Sequence, residues 1–461
     1  MNSNCNEKKI LFVMRSATHF NYFASIHKAL IERGFKVISL FHRILPKAVP
    51  LLEAFKAKYP NFEYREAIGR EDRWVGTLFL ERVLASNRRY IMVKHQSEYY
   101  RDRYRKFLPQ LWQKMFNNFF GRFIIKSRFF GFVLNMIERT VPADKKIIED
   151  IKNINPDFVL ASPVNRRFLS SDTEYLKAAK ALNIPNAIPV MTWDNLTTKG
   201  LFTVHPQMLF AWNKAHFNEA IEHHHIDSKT IKIIGAPVFD EWFNYLKPKN
   251  SREEFCAQNG LDARHPIVTY LGSSNNIAKD ETWLIADLRK GLNASSDERL
   301  RNTQIIVRPH PANYEIYDSI ANELGIFILP KKGTLPNTES ALQFFSDTLN
   351  HSLATAGVNT SAMIDAIIVG RPVIAVVTEK YQKTQSEAQH FRQLVDGDVL
   401  EMAKGAPEFV NVLSKLLDGH DARIEKRKSF VRDFVRPRGL NISAGEAVAM
   451  EIESQISKIK N

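Results

Sequence analysis

The sequence predicts an α/β protein made of two parallel, doubly wound sheets, and three observations carry that prediction. Short apolar runs bounded by turn residues alternate with amphipathic helical stretches along most of the chain, as strand-helix-strand units do. The series occurs twice, before and after the polar stretch 247-KPKNSREEF-255. At 461 residues the chain is too long for one ordinary core and suits two.

Taken in order, KKILFVMRS (8–16) reads as a buried strand, 19-HFNYFASIHKALIERG-34 as a helix closed by Gly34, and 35-FKVISLF-41 as the next strand. Further strands are expected at 157–162, 187–193, 207–212 and 231–237, with a helix over 174–184. Residues 70 to 153, rich in Arg, Lys, Phe and Tyr at helical spacing, read as a helical insertion. The second series places strands at 266–272, 304–310, 326–330, 349–357 and 372–377, and helices at 280–292, 314–324 and 339–345. The expected domains are 1–245 and 246–420, followed by a charged helical tail over 421–461.

Composition narrows the class. Apolar and charged fractions of 44% and 25% are ordinary for a globular protein. Cys5 and Cys256 match no zinc or disulfide spacing, which suits inert thiols in a reducing compartment. The apolar run near the N-terminus is short for a secretion signal. The stretch 119-FFGRFIIKSRFFGFVLNMI-137 is interrupted by Arg122, Lys126 and Arg128, so it is not expected to span a bilayer. The expectation is a cytoplasmic protein. A formal charge of +14 calls for an anionic partner: a phosphate-bearing substrate, an anionic membrane or nucleic acid. Nucleic acid is the weaker option, because zinc-finger spacing, aromatic-glycine RNA signatures and a basic tail are all lacking.

In open parallel sheets ligands bind beyond the carboxyl ends of the strands. In the second series those loops are 272-GSSNN-276, 308-RPHP-311 and 357-GVNTSA-362. Gly272, Ser273 and Ser274 can bring small groups close to an anion. Arg308 and His310 are pinned by prolines at a sheet edge. Asn359, Thr360 and Ser361 open an oily helix, where they either cap it or hold a phosphate at its start. Asp365 lies one turn on from Ser361, and either accepts from a ribose or is a solvated helix position.

This half resembles the nucleotide domain of the glycosyltransferases with two facing Rossmann-like domains, called GT-B. The resemblance rests on Gly357, Asn359, Thr360, Ser361, Asp365, Gly370 and Pro372, and it implies a diphosphate at the helix start and a ribose at the acid. Arg-Pro-His-Pro and 192-TWDNLTTKG-200 are similar to bacterial surface-polysaccharide transferases and polymer glycerophosphotransferases. The expected substrates are a nucleotide-sugar and a surface-glycan or lipid-linked acceptor, with no cofactor required. A glycerophosphotransferase using CDP-glycerol and a sugar 2-epimerase share the architecture.

The first half then supplies the acceptor side. His19, after the first strand, is the expected base, and Asp194 is the second candidate. Trp193 and Asn195 suit a sugar, the ring by stacking and the amide by hydrogen bonding. His27 reads as structural. His223, His224 and His225 point in different directions on a helix, and Asp396 and Asp398 lie in a turn, so neither group is expected to hold a metal. In residues 99–130 cations alternate with aromatic residues, as in helices that lie on an anionic bilayer surface or pack their rings inward.

Overall fold

The computed structural model describes residues 7–93, 97–162, 169–336 and 338–460; Cys5 lies outside them. The chain divides into two compact units, residues 1–240 with 434–461, and residues 241–433.

In the first unit seven parallel strands are ordered β3-β2-β1-β4-β5-β6-β7. They are β1 (Lys9–Met14), β2 (Lys36–Phe41), β3 (Phe62–Glu66), β4 (Phe158–Ser162), β5 (Asn186–Pro189), β6 (Met208–Ala211) and β7 (Ile231–Ile233). β1 is buried on both faces because helices cover both. Phe12 and Met14 join one cluster, whereas Leu11 and Val13 join another with Ile147, Ile151 and Tyr175. The helical insertion is the crossover from β3 to β4. The last helix, Ala444–Lys460, packs Ala447, Val448, Ile452 and Ile456 into the cluster of Phe12, so the segment read as a tail is shared between the two units.

His27, fully buried, stacks on Phe12 with ring centroids 4.9 Å apart, its Nδ1 paired with the Phe23 carbonyl at 2.8 Å and its Nε2 with Ser39 Oγ at 2.9 Å. Burial lowers its pKa to about 4, which keeps the imidazole neutral as a core group.

An ionic network ties the insertion to the sheet layer. Arg82, 2% exposed, donates to Glu138 at 2.7 and 3.1 Å and to Glu174 at 2.5 Å, while Arg70 also donates to Glu174 at 2.9 Å. Removing one member of a buried pair strands the other's charge. Arg82→Met is therefore expected to cost about 3 to 5 kcal/mol of stability, measured by urea unfolding.

In the second unit six parallel strands are ordered β10-β9-β8-β11-β12-β13. They are β8 (Ile267–Leu271), β9 (Gln304–Arg308), β10 (Ile326–Ile328), β11 (Ala354–Gly357), β12 (Val373–Val376) and β13 (Leu400–Ala403). Val268, Tyr270, Val307, Ala356 and Ile374 face one core, and Ile267 and Ile306 face the other with Phe255 and Cys256.

Several elements differ from the sequence expectation. The turn Ala17–Phe23 is 3-10 before the α-helix Ala24–Glu32, because the Ser16 hydroxyl accepts from the Thr18 N–H and the Arg43 carbonyl from Ala17. The region expected as a helix over 314–324 is only a 3-10 turn, Glu315–Ile320. The helix Glu339–Asn350 runs into the stretch expected to open a strand at 349, so β11 starts at Ala354.

Candidate functional site

Where the strand order of a doubly wound sheet reverses, the loops leaving neighbouring strands diverge and open a crevice. In the second unit this point lies between β8 and β11, so the loops after Leu271 and Gly357 flank it. Close packing there demands glycine. A Cβ on Gly357 would sit 2.7 Å from the Leu271 carbonyl, and one on Gly272 would sit 2.6 Å from the Tyr317 hydroxyl.

A carboxylate not singled out from the sequence organises these loops. Glu281 is fully buried and accepts from the Ser273 N–H at 2.7 Å, the Ser273 hydroxyl at 2.9 Å, Tyr317 at 3.0 Å and Tyr270 at 3.2 Å. Burial raises its pKa, opposed by these four donors. Ser273 is thereby turned inward, and its oxygen also faces the Asn359 N–H at 3.4 Å. Ser273 therefore holds the loop and offers no hydroxyl to a ligand, a correction to the expectation that it binds the donor. Ser274, partly exposed, remains at the surface.

Asn359 is likewise internal. Its side-chain amide donates to the Thr384 carbonyl at 2.6 Å and faces His390 Nε2 at 3.2 Å, and it is 2% exposed, so it braces the loop and is not a phosphate contact. Thr360 is half-buried and Ser361 exposed. The expected cap is only partly formed: Thr360 Oγ1 accepts from the Ala362 N–H at 3.4 Å, whereas the Ser361 hydroxyl makes no capping bond. The helix they open, Ala362–Ile368, has seven residues, so the Ser361 hydroxyl counts for more here than the helix dipole does.

Arg308, at the end of β9, is 7% exposed. Its guanidinium lies 3.8 Å from the Phe345 ring centroid and donates to the Thr334 carbonyl at 2.5 Å. Asp365 faces it from the helix and accepts from the Trp242 indole. At 6% exposed, Asp365 is neither solvated nor open to a ribose, and it serves as the buried countercharge of Arg308. Burial lowers the Arg308 pKa to about 10 and raises that of Asp365 to about 7, with the mutual attraction opposing both shifts.

The sign of the resulting stability change follows. A carboxyl that holds its proton more tightly when folded contributes stability at low pH and loses it as pH rises from about 4 to about 7. Asp365→Asn keeps an acceptor for Trp242 and removes the titration. Its melting temperature relative to wild type is expected to climb across that interval and level off above it, as read by melts from pH 4.5 to 8.

His310 completes the group. It is half-buried, and its Nδ1 accepts from the Ala312 N–H at 3.1 Å, which leaves the proton on Nε2. Burial and then Arg308 lower its pKa, so near neutral pH it is an uncharged donor. The predicted donor-binding residues thus separate into an outward set, Ser274, His310, Thr360 and Ser361, and a buried set that positions them, Gly272, Ser273, Arg308, Asn359 and Asp365.

In the first unit the order reverses between β1 and β4. His19 lies just beyond β1, half-buried, with its ring edge-on to Tyr22 at 6.3 Å. Asp194 accepts from Thr192 at 2.7 Å, Thr198 at 2.6 Å and Lys199 at 2.9 Å. The donors are two hydroxyls and the Lys199 ammonium, and they occupy oxygens that a base would need free. The carboxylate's charge raises the pKa of Tyr22, after burial, and likewise that of Tyr100, which places both phenols beside it.

Trp193 and Asn195 do not take the places expected of acceptor contacts. Trp193 is 6% exposed, so its ring is no open platform, and its carbonyl faces His216 Nε2 at 3.1 Å. Asn195 is 2% exposed and accepts from the Met191 N–H at 3.1 Å. His223 and His224 are buried, and His224 accepts from the Phe202 N–H at 3.1 Å through Nδ1. Among the described residues no group of three His, Cys, Asp or Glu side chains is arranged to hold a metal. Asp398 pairs with Arg423 at 3.1 Å at the surface.

No protein-family model matches the chain, and no curated protein matches it in sequence. Solved structures match over nearly its full length. A glycosyltransferase from Rickettsia africae ESF-5 has a TM-score of 0.54 at 12% identity, with 98% of this chain and 99% of that one covered. The Anabaena protein HepE in complex with UDP and glucose has a TM-score of 0.53 at 11% identity, covering 97% and 100%. The UDP-GlcNAc 2-epimerase from Neisseria meningitidis bound to UDP-GlcNAc has a TM-score of 0.51 at 13% identity, covering 98% and 100%. At these identities the likeness is one of fold, and the fold is the two-domain Rossmann-like α/β architecture called GT-B.

Proposed function

We propose that this protein is an enzyme acting on a nucleotide-sugar, and that it transfers the sugar to a surface-glycan or lipid-linked acceptor. The supporting observation is the buried Arg308–Asp365 pair of the second unit, which joins the strand end that leads to His310 with the helix that Ser361 opens. A uridine diphosphate sugar is the first candidate, because neighbours of the same fold hold UDP or UDP-GlcNAc.

In this reading the acceptor hydroxyl gives its proton to His19 as its oxygen bonds to the anomeric carbon. The bond from that carbon to the phosphate oxygen breaks, and the departing diphosphate takes the electron pair. Donors at that oxygen lower the barrier, which is the part assigned to His310, Thr360 and Ser361. Asp194 is assigned a charge and positioning role. No cofactor enters the scheme.

Sugar 2-epimerisation is the second reading, favoured by the likeness to the Neisseria epimerase. Chromatography of UDP-sugars and CDP-glycerol incubated with the protein separates the readings. Transfer predicts nucleotide release that rises with a glycan or lipid-linked acceptor. Epimerisation predicts an isomeric UDP-sugar without any acceptor, and CDP-glycerol turnover would mark a glycerophosphotransferase. Failure to turn over any of them, with tight salt-sensitive oligonucleotide binding, would favour the nucleic-acid alternative.

The acceptor is proposed to lie at an anionic membrane surface, in keeping with a cytoplasmic enzyme on its inner face. No helix among the described residues is long and apolar enough to cross a membrane. However, the helix Phe119–Lys126 exposes Phe119, Phe120 and Phe123 by 74 to 79%, and the helix Arg128–Thr140 exposes Phe129 and Phe132 by 60 to 75%. Residues 103–137 contain seven Lys or Arg and no Asp or Glu. Exposed rings flanked by cations suit partition into an anionic interface. Phe119→Ser with Phe123→Ser is expected to lower sedimentation with phosphatidylglycerol vesicles at least tenfold.

A further inference from the structure

A cavity of about 1050 Å³ lies in the first unit, with neither His19 nor Asp194 in its lining, walled by the helices Val75–Met92 and Arg128–Thr140, by residues 201–205 and by the end of the helix Lys214–His224. That volume is just above the roughly 300–1,000 Å³ usual for small-molecule sites.

Its charge is one-sided. Arg88, Arg89, Arg128, Arg139, Lys177 and Lys180 line it, against the acids Glu81, Glu138 and Glu222. Burial, and then the neighbouring Glu138, push Glu81 up to about 9, so it is neutral at pH 7. Glu138 is engaged by Arg82 and by Lys177 at 2.7 Å. Arg88 and Arg89 are occupied by backbone carbonyls, those of Ile125 and Leu196 among them.

Cations remain at one end. Arg139 makes no hydrogen bond or ion pair among the described residues, and Lys180 Nζ donates only to the His205 carbonyl, at 2.6 Å. Arg139 lowers the pKa of Lys180, and Lys180, His225 and Arg139 lower that of His205, in each case after burial. Arg139 thus lies near Lys180, and His205 lies near Lys180, Arg139 and His225, all four of them on the cavity wall.

The rest of the wall is apolar. Met92, Phe132, Leu134, Phe202 and Val204 line it. Along the helix Arg128–Thr140 the residues Arg128, Phe132, Asn135 and Arg139 recur at three- and four-residue spacing and form one stripe on the cavity side. Phe132 stands on this stripe and is 60% exposed, so the apolar wall runs out beside the phenylalanines of the outer surface.

We propose that this cavity binds a phosphorylated amphiphile, with its phosphate at Arg139, Lys180 and His225 and its apolar chain along Met92, Phe132 and Leu134. A cationic end alone would suit any phosphate, and an apolar wall alone any chain. The two together select a ligand carrying both. The assignment does not rest on the nucleotide reading.

The test is calorimetric titration of the full chain with 1-oleoyl lysophosphatidic acid below its micellar concentration, beside inorganic phosphate and 1-oleoylglycerol. The lysophosphatidic acid is expected to bind at least tenfold more tightly than either. Arg139→Gln with Lys180→Gln should weaken it at least tenfold, with the circular dichroism spectrum unchanged. Phe119→Ser with Phe123→Ser, on the outer surface, should leave it within twofold. Equal binding of inorganic phosphate would mean a plain anion site, and equal binding of oleoylglycerol a greasy one. Either result, or an unchanged affinity in the Arg139/Lys180 variant, overturns the proposal, as does loss of binding in the outer-surface variant.

Discussion

His310→Ala is expected to slow nucleoside-diphosphate release from the donor by about a hundred- to a thousandfold, equivalent to about 2.7 to 4 kcal/mol. The imidazole is held with Nδ1 as acceptor from Ala312, which directs its one N–H through Nε2. Such a donor is worth most where charge develops during reaction, at the oxygen that leaves with the diphosphate. Because burial and then Arg308 lower the imidazole pKa and favour the neutral ring, this contribution is expected to be held from neutral pH upward. His310→Gln, which retains an N–H, should recover part of the rate. Melting temperatures should change little, since among the described residues the ring's one hydrogen bond is local, to Ala312, so a loss of rate in a stable protein locates the effect in the reaction.

His19→Ala is expected to lower transfer by about a hundred- to ten-thousandfold, the span associated with general base catalysis. The effect should fall on kcat with nucleotide affinity unchanged, because His19 belongs to the first unit and the proposed nucleotide contacts to the second. Asp194→Asn provides the contrast. Its carboxylate already receives Thr192, Thr198 and Lys199, so the amide should cost less in rate and shift the pH profile through the loss of a charge beside Tyr22 and Tyr100. A larger loss in Asp194→Asn than in His19→Ala would reverse the two assignments.

Much of the architecture was legible because buried parallel strands are continuous apolar runs. KILFVM and IVTYL could hardly be anything else. The strands β3 and β13 were not legible: FEYRE and LEMA lie at sheet edges and are only partly buried, so neither makes an apolar run. The loops carrying Ser273, His310 and Ser361 could be placed from strand ends alone. Which way each side chain faces could not, because that depends on partners distant in sequence. Ser273 turns inward for Glu281, and Asn359 for Thr384 and His390. Trp193 shows the same limit: a ring after a strand suits a sugar or a core equally, and here it is core.

The most direct test of the proposed nucleotide site is a thermal-shift series with UDP, CDP, GDP, TDP and CMP, run on wild type, Ser361→Ala and His310→Ala. A ligand at a hundredfold excess over its dissociation constant adds about 2.7 kcal/mol of stability. The predicted result is a clear rise with UDP in the wild type that shrinks in both variants, since both remove an outward donor at the carboxyl ends of the second unit's strands. No rise with any nucleotide, or a rise equal in all three proteins, would contradict it.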